Sequence, residues 1–284
     1  MDEASAAGSK QRRRRVGIIG FGQLGQYLYE EVCKQPGYEV VFIWNRSIEK
    51  MKDLVSEHLI LRDLNDCSSR HPDLIVEVAH PSISAEYGME FLKFADFMIG
   101  SPTALADATV YKSLLGAAQS EHGLYVPAGA FWGGQDIQKM ANQGTLKGLT
   151  VTMKKHPSAF KLVGPLEEKL KTVLDKPLTL FKGPVRELCP LAPNNVNTMA
   201  CAAIAAHNLG FDGVIGCLIA DPNLESHVVE IEVVGPGQKG NNFSVKTVRN
   251  NPASAGAVTG KQTYGSFSSS LFGAVGKGKG VHLC

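Results

Sequence analysis

The stretch from Val16 to Gly25 constrains the fold of this chain more than any other. It joins a β-branched run to closely spaced glycines and then to the helical periodicity of Leu24, Leu28 and Val32. In a dinucleotide-binding turn the first glycine permits the bend, the second admits the pyrophosphate, and the third lets helix pack on strand. The pattern predicts a dinucleotide site, with a purely structural turn as the alternative. The predicted cofactor contacts are Gly20, Gly22, Gln23, Leu24 and Gly25.

The next apolar run, Glu39 to Trp44, is typical of a parallel strand buried on both faces. The residue that closes this strand usually contacts the adenosine ribose, and an acid there favours NAD. Here the strand is followed by Asn45 and Arg46. Asn45 would not repel a 2′-phosphate and Arg46 could bind one, so the site is predicted to take NAD or NADP. The alternative is that Arg46 is a surface residue in a turn.

Four further apolar runs, at 59–61, 72–79, 97–100 and 124–127, alternate with helix-compatible sequence. This alternation predicts a doubly wound parallel sheet, in which ligands bind beyond the carboxyl ends of the strands. Ala79, His80 and Ala130 follow such ends, so they are predicted to border the cofactor. His80 is also a candidate for substrate binding, or it caps the next helix.

Near residue 148 the pattern changes to the alternation of a half-exposed antiparallel strand. Further strands are predicted at 178–182, 213–220, 227–234 and 243–248, with helices at 196–207 and 265–275. The predicted fold class is α/β, a Rossmann domain followed by an α+β domain with a mainly antiparallel sheet. The predicted divisions are an N-terminal arm (1–14), the Rossmann domain (15–147), the substrate-binding and dimerisation domain (148–264), and a C-terminal helix and tail (265–284) that returns to the first domain.

Composition limits the class of protein. The 284 residues carry a net charge of +2, and the six cysteines are scattered without a C-x-x-C pair, which predicts reduced thiols and no metal site. No apolar run approaches the roughly 20 residues that span a bilayer, and the N-terminus lacks the apolar segment of a signal peptide. We therefore expect a cytoplasmic protein with no nucleic-acid or membrane partner.

Two polar groups in the second half could carry chemistry. Asn195 and Asn197 lie in an asparagine cluster before an Ala-rich segment, where amides can cap a helix or bind substrate and carboxamide groups. We assign substrate contacts to Asn195 and His80. His227 begins a strand and is the candidate catalytic acid or base, although a lone strand histidine is often structural. The candidate carboxylate clamps are Lys154, Lys155, Lys161 and Arg186.

The chain resembles the L-aspartate dehydrogenase family nearly end to end. The similar segments are VGIIGFGQLG at 16–25, VFIWNR at 41–46, VEVAHP at 76–81, GSP at 100–102, GAFWG at 129–133, FDGVIG at 211–216 and HLC at 282–284. The resemblance implies an NAD(P)-dependent homodimer that oxidises L-aspartate to iminosuccinate, which hydrolyses to oxaloacetate and ammonia, and that serves NAD biosynthesis in microbial members. It also implies that Ala130 and Asn197 bind the cofactor.

One motif departs from the family pattern. The family's catalytic histidine lies in an Asn-x-His motif, and an ungapped alignment places His227 at the asparagine and Val229 at the histidine. His227 would then be displaced by about 7 Å along the strand, at roughly 3.3 Å per residue. Three hypotheses follow: an aspartate dehydrogenase with a shifted site, a dinucleotide-binding sensor without activity, or a dehydrogenase for another small acid.

Overall fold

The computed structural model describes residues 12–238, 240–253, 256–257 and 259–284, apart from the side chain of Lys261. Residues 1–11 of the predicted N-terminal arm lie outside the described residues. The strands are β1 (Arg14–Ile19), β2 (Tyr38–Trp44), β3 (Ile60–Leu61), β4 (Leu74–Glu77), β5 (Asp96–Ile99), β6 (Gly123–Val126), β7 (Gly148–Lys155), β8 (Leu178–Pro184), β9 (Ile215–Ala220), β10 (Ser226–Gln238), β11 (Asn241–Pro252) and β12 (Gly280–Leu283). The helices are α1 (Gln23–Lys34), α2 (Pro81–Phe91), α3 (Ala108–Ala117), α4 (Gly134–Asn142), α5 (Pro165–Lys171), α6 (Val185–Leu188), α7 (Asn197–Ala205), α8 (Gly210–Gly213) and α9 (Lys261–Gly273).

The first sheet has seven strands in the order β12-β6-β5-β4-β1-β2-β3, and all its pairings are parallel. The interior strand β1, which lies between β4 and β2, is apolar because both faces are covered, and Val16, Ile18 and Ile19 are fully buried. The strand order reverses between β1 and β4. The open crevice for a ligand lies at this reversal, beyond the carboxyl ends of the strands.

The chain departs from the predicted strand–helix alternation in two places. The connections from β2 to β3 and from β3 to β4 contain short 3₁₀ turns instead of α-helices. The seventh strand, β12, was not predicted, and it pairs Val281 with Leu124 of β6. Its four residues follow Gly276 and Gly278, both at positive φ, so the local sequence looks like a loop and only the pairing to β6 makes it a strand.

The second sheet has five strands in the order β11-β10-β7-β9-β8. Three of its pairings are antiparallel, and β7 with β9 is parallel, so the predicted mainly antiparallel character is confirmed. Burial alternates along β7, which places Val151, Met153 and Lys155 on the inner face. The predicted helix at 196–207 is α7, and its apolar residues are almost fully buried because it lies between the two sheets' cores.

The C-terminal segment contacts the first sheet. In α9, Tyr264 stacks on Tyr27 of α1 at 5.6 Å between ring centroids, and Phe272 meets Tyr38 edge-on at 5.1 Å. Phe267 and Leu271 are buried in the same cluster as the β1 side chains. This helix therefore packs beside α1 on the same face of the parallel sheet. No helix among the described residues is long and apolar enough to cross a membrane.

Candidate active site

Two adjoining depressions lie at the carboxyl edge of the parallel sheet. The outer groove borders the glycine turn and is lined by Gly22, Gln23, Val78, Ala79 and Tyr264, among others. The inner cleft, with an empty volume of about 700 Å³, lies between this edge and the second sheet. Both are lined by Leu24, Gly100, Asn194, Asn197 and Thr259, so they are continuous.

Glycine is favoured at each of the three positions of the turn for a different structural reason. Gly20 has a φ of +106°, and a Cβ there would stand 2.8 Å from the carbonyl carbon of Val78. A Cβ on Gly25 would stand 2.0 Å from the carbonyl oxygen of Gly20, so helix α1 could not approach the turn. A Cβ on Gly22 would meet no atom of the described residues within 4 Å. The fold explains Gly20 and Gly25, whereas Gly22 leaves open the space that a pyrophosphate would fill.

The end of β2 is joined to the glycine turn through Asn45. The backbone N–H of Phe21 donates to Asn45 Oδ1 at 3.0 Å, and Asn45 Nδ2 donates to the carbonyl of Ser47 at 2.8 Å. Asn45 thus shapes the turn, which the sequence did not indicate. Arg46 is exposed beside it. The contact of Asn45 and Arg46 with a ribose or 2′-phosphate stays a prediction.

Glu77, which sequence reasoning missed, organises the next two loops. Its carboxylate is fully buried at the end of β4 and accepts from Ala79 N at 2.6 Å, His80 N at 2.8 Å and Ser84 Oγ at 3.0 Å. Ser101 donates both its N–H and its hydroxyl to the same group. Burial raises the pKa of Glu77 to about 6 and outweighs these hydrogen bonds, which lower it. An acid closing a wholly apolar strand was the available signal.

His80 and Ala79 separate in the structure, although they are adjacent in sequence. Ala79 lines the outer groove. His80 is exposed and caps α2, accepting the backbone N–H of Ser82 on Nδ1 at 3.2 Å. The linings of the outer groove and the inner cleft do not include His80. The sequence left open whether His80 caps α2 or contacts a cofactor or substrate. The geometry favours the capping role.

The asparagines of the cluster differ in their hydrogen bonds, although Asn195 and Asn197 both line the inner cleft. Asn195 is buried, accepts from Lys161 N at 2.8 Å and donates to the carbonyl of Ala159 at 3.1 Å, so its amide fixes the 159–161 segment. Asn197, the first residue of α7, lines both depressions, and its Oδ1 is buried without a hydrogen-bond partner among the residues that the structure describes. A buried polar atom of this kind calls for a partner. Asn197 Oδ1 is thus available to a ligand, and Ala130 lines the inner cleft nearby.

His227 lies on the inner face of β10 and borders the inner cleft, with 6% of its surface exposed. Val229, two residues on, faces the same cleft and is buried. The strand pairing sets His227 opposite Asn251 on β11. Pairing of Val228 with Lys154 sets His227 beside Lys155, the last residue of β7. Lys155, His227 and Asn251 therefore form a row across three neighbouring strands.

The row has a distinct electrostatic character. Burial lowers the pKa of Lys155 to about 8. Burial, together with the nearby Lys155 charge, lowers the pKa of His227 to about 4, while a hydrogen bond with the Ala257 backbone acts in the opposite direction. Asn251 Nδ2 donates to Thr263 Oγ1 at 3.0 Å, and its Oδ1 is buried with no hydrogen-bond partner in the described part of the chain. At neutral pH the row therefore presents a largely cationic lysine and an uncharged histidine.

Two family models together match most of the chain. Residues 136–270 match a family model described as "Aspartate dehydrogenase, C-terminal", and residues 20–127 match "Homoserine dehydrogenase, NAD binding domain". An aspartate dehydrogenase domain-containing protein of Xenopus tropicalis is 50% identical over 97% of this chain and 100% of its own length. The chain belongs to the aspartate dehydrogenase family. The first part of this family member is accordingly an NAD-binding domain.

More distant relatives agree with the family assignment. An L-aspartate dehydrogenase of Psychrobacter cryohalolentis is 30% identical over 78% of this chain and 84% of its own length. The crystal structure of an aspartate dehydrogenase from Thermotoga maritima superposes with a TM-score of 0.66 at 19% identity, covering 92% of this chain and 94% of the other. The second likeness confirms the α/β fold, a parallel Rossmann sheet with a second mixed sheet.

Proposed function

We propose that this member of the aspartate dehydrogenase family is an active NAD(P)-dependent oxidoreductase that oxidises L-aspartate to iminosuccinate. The observation that carries the proposal is the continuity of the outer groove with the inner cleft. It places the open space at Gly22, the unsatisfied Oδ1 of Asn197 and the ring of His227 along one path. A dinucleotide-dependent reaction requires such a path, because the phosphates and the reacting carbon lie at opposite ends of the cofactor.

The residues present fit a nicotinamide dinucleotide. The N–H groups at the start of α1 and the open space at Gly22 suit its phosphates, and Asn197 Oδ1 can accept from a carboxamide. A bound nicotinamide would supply the hydride acceptor that oxidation at the substrate α-carbon requires. The choice between NAD and NADP depends on Arg46, for which we propose contact with a 2′-phosphate.

His227 is assigned the proton transfer. Oxidation of the amine removes a hydride from carbon and a proton from nitrogen, and a C=N bond forms. The low pKa of His227 leaves its ring uncharged at neutral pH, so a ring nitrogen can accept that proton. Water then adds to the released imine and ammonia leaves, which gives oxaloacetate. This assignment uses a histidine on the same face of β10 as Val229, the position at which the resemblance places the family's histidine.

The direct test is formation of reduced cofactor by the purified chain with L-aspartate and either NAD or NADP. We expect turnover that falls at least 100-fold in His227→Ala with cofactor affinity unchanged, since acid–base catalysis is typically worth about 10²–10⁴. The matched control is His58→Ala, because His58 is exposed and lines neither depression. No turnover with either cofactor, in protein that binds them, would contradict the proposal.

A second candidate is a dinucleotide-binding sensor without dehydrogenase activity. The buried Val229 at the histidine position favours it, because valine transfers no proton. The two candidates differ in the His227→Ala result. Aspartate turnover that depends on His227 excludes the sensor, whereas cofactor binding without turnover supports it.

We further propose that the chain forms a homodimer through its second sheet. Strand β11 lies at the edge of that sheet and exposes large apolar side chains, with Phe243 at 52% and Val248 at 55% exposure. An unpaired apolar edge favours association. Sedimentation velocity is expected to show a dimer that dissociates in a Phe243→Ser and Val248→Lys double variant. A wild-type monomer at micromolar concentration would refute the proposal.

A further inference from the structure

We propose that Lys155 binds a carboxylate of the substrate in the inner cleft, so that this residue selects acids over neutral compounds. The inference rests on the proposed function only in taking the inner cleft as the substrate site. It adds a binding residue that the family pattern of glycines, alanine, asparagines and histidine does not supply. It also resolves which of the four cationic residues predicted from sequence faces the chemistry.

Geometry separates the four cations. Lys154 points to the opposite face of β7, where it pairs with Glu230. Arg186 donates from Nε to Asp212 at 2.6 Å and also donates to the carbonyl of Ala106, away from the inner cleft. Lys161 is exposed at the border of the outer groove. Lys155 alone among these four lines the inner cleft, where it is only 3% exposed.

The surroundings of Lys155 favour an anion. Among the described residues that line the inner cleft it is the only one with a full charge, and none is an acid. Its Nζ lies 6.0 Å from the ring centroid of Phe160, and His227 lies beside it in the cross-strand row. A cation held in such a site interacts more strongly with an entering carboxylate than a solvated lysine would, because less water screens the charge.

The same arrangement links acid binding to His227. The charge of Lys155 contributes to the low pKa of His227. A carboxylate bound beside the two side chains would act on His227 in the opposite direction and raise its pKa, so the ring of His227 becomes a better proton acceptor. Neutral compounds that enter the cleft would meet a weaker base. Lys155 therefore discriminates between substrates at the binding step and again at proton transfer.

The test uses the full chain loaded with NADH and succinate as an unreactive dicarboxylate probe. Binding is followed by the fluorescence of the bound cofactor or by calorimetry. We expect Lys155→Met to weaken succinate at least 30-fold while NADH affinity is retained. The matched control, Lys154→Met, changes the neighbouring residue on the other face and should leave succinate affinity unchanged. Succinamide, the neutral analogue, should bind weakly to all three proteins.

The variant is expected to fold, because methionine fills a similar volume and removes a buried charge. A pH profile supplies a readout that a purely structural role would not move. Lysine is charged below its pKa of about 8, so wild-type affinity for succinate should fall as the pH rises through that value. His227, with its pKa of about 4, does not titrate in this range. Lys155→Arg should keep the affinity and extend it to higher pH.

The outcomes separate this inference from the proposed function. Succinate binding that depends on Lys155, without oxidation of aspartate, supports the inference and refutes the dehydrogenase. Aspartate turnover with unchanged KM in Lys155→Met supports the dehydrogenase and overturns the inference. The inference is also overturned if folded Lys155→Met binds succinate as the wild type does, or if the NADH-loaded wild type does not bind succinate at all.

Discussion

The glycine turn permits a paired experiment in which the fold and the ligand are tested separately. Gly25→Ala places a methyl group 2.0 Å from the carbonyl oxygen of Gly20. Gly22→Val places its side chain where the described part of the chain has no atom within 4 Å of the Cβ. We therefore expect the first substitution to damage stability and the second to damage cofactor binding. Gly25→Ala should change cofactor affinity much less than stability, and Gly22→Val should change stability much less than cofactor affinity.

The magnitudes follow from the two environments. The clash at Gly25 is with backbone, which cannot move aside as a side chain can, so we expect the loss near the upper end of overpacking costs, about 3 kcal/mol. Gly22 is the N-cap of α1 at a φ of −76°, which any residue can adopt. There the weaker capping of valine and the reduced freedom of the unfolded chain each amount to about 0.5–1 kcal/mol with opposite signs. Stability should change little.

The cofactor affinity of Gly22→Val should fall at least 100-fold, since the side chain occupies the space proposed for the pyrophosphate. That loss corresponds to about 2.8 kcal/mol of binding free energy. Urea denaturation of the free proteins measures stability, and fluorescence titration with NADH and NADPH measures affinity. Excess cofactor should stabilise the wild type by about 2.7 kcal/mol at 100 times Kd, and Gly22→Val should lose most of this gain.

Two results would refute this reasoning. A folded Gly22→Val that binds both cofactors with wild-type affinity would show that the phosphates do not rest against the turn. A Gly25→Ala variant as stable as the wild type would show that α1 can shift away from Gly20 without cost. Gly116→Ala is a suitable control, because a Cβ at this helical position meets no atom within 4 Å.

Three further predictions concern the supports of the site. Arg46→Glu should weaken NADPH at least 10-fold and leave NADH unchanged in fluorescence titration; equal losses would remove Arg46 from the phosphate site. The pKa of Glu77 is about 6 in the folded protein, against 4.5 for an unperturbed glutamate. Protonation of Glu77 therefore stabilises the fold by about 2 kcal/mol below about pH 4.5. This contribution is lost as the pH rises through 6. The free energy of unfolding of the wild type, measured relative to Glu77→Gln by urea denaturation, should therefore decrease between pH 4 and pH 7. A relative free energy of unfolding that increases over this range would contradict the predicted sign. Deleting residues 280–284 removes the bond from Ala128 N to the Cys284 carbonyl, so cofactor affinity and the thermal midpoint should both fall, whereas unchanged affinity would separate β12 from the site.

The parts of the fold that local sequence determines were predictable. Continuous apolar runs gave β1, β2, β4, β5 and β6, because strands covered on both faces can be recognised without their partners. β12 could not be found in this way, since four residues after a glycine-rich loop become a strand only when β6 is beside them. The 3₁₀ connections on either side of β3 were not predicted for a related reason. A segment of helix-compatible composition need not form an α-helix when the connection between two strands is short.

The candidate site divides along the same line. The glycine turn was predictable because all its parts are consecutive in sequence. Glu77 was not, because its importance lies in donors from Ala79, Ser84 and Ser101, which lie in the loop after β4, in α2 and after β5. Lys155 could be named as one of four cations but not chosen, since the choice depends on which face of β7 it occupies and on what β10 places beside it.

The register of β10 determines which residues lie beside the candidate catalytic histidine, His227. Residues two apart on a strand share a face, so His227 and Val229 both border the inner cleft. The displacement from Val229 to His227 moves the proton acceptor towards the N-terminal end of β10. At that level β7 contributes Lys155 and β11 contributes Asn251, whereas beside Val229 they contribute Met153 and Arg249. Moving the histidine by two residues therefore changes its neighbours as well as its position. If His227 is the working base, the substrate must bind against the row that contains Lys155, and Val229→His should not restore activity to His227→Ala. Rescue by that second histidine would instead locate the chemistry at the family position.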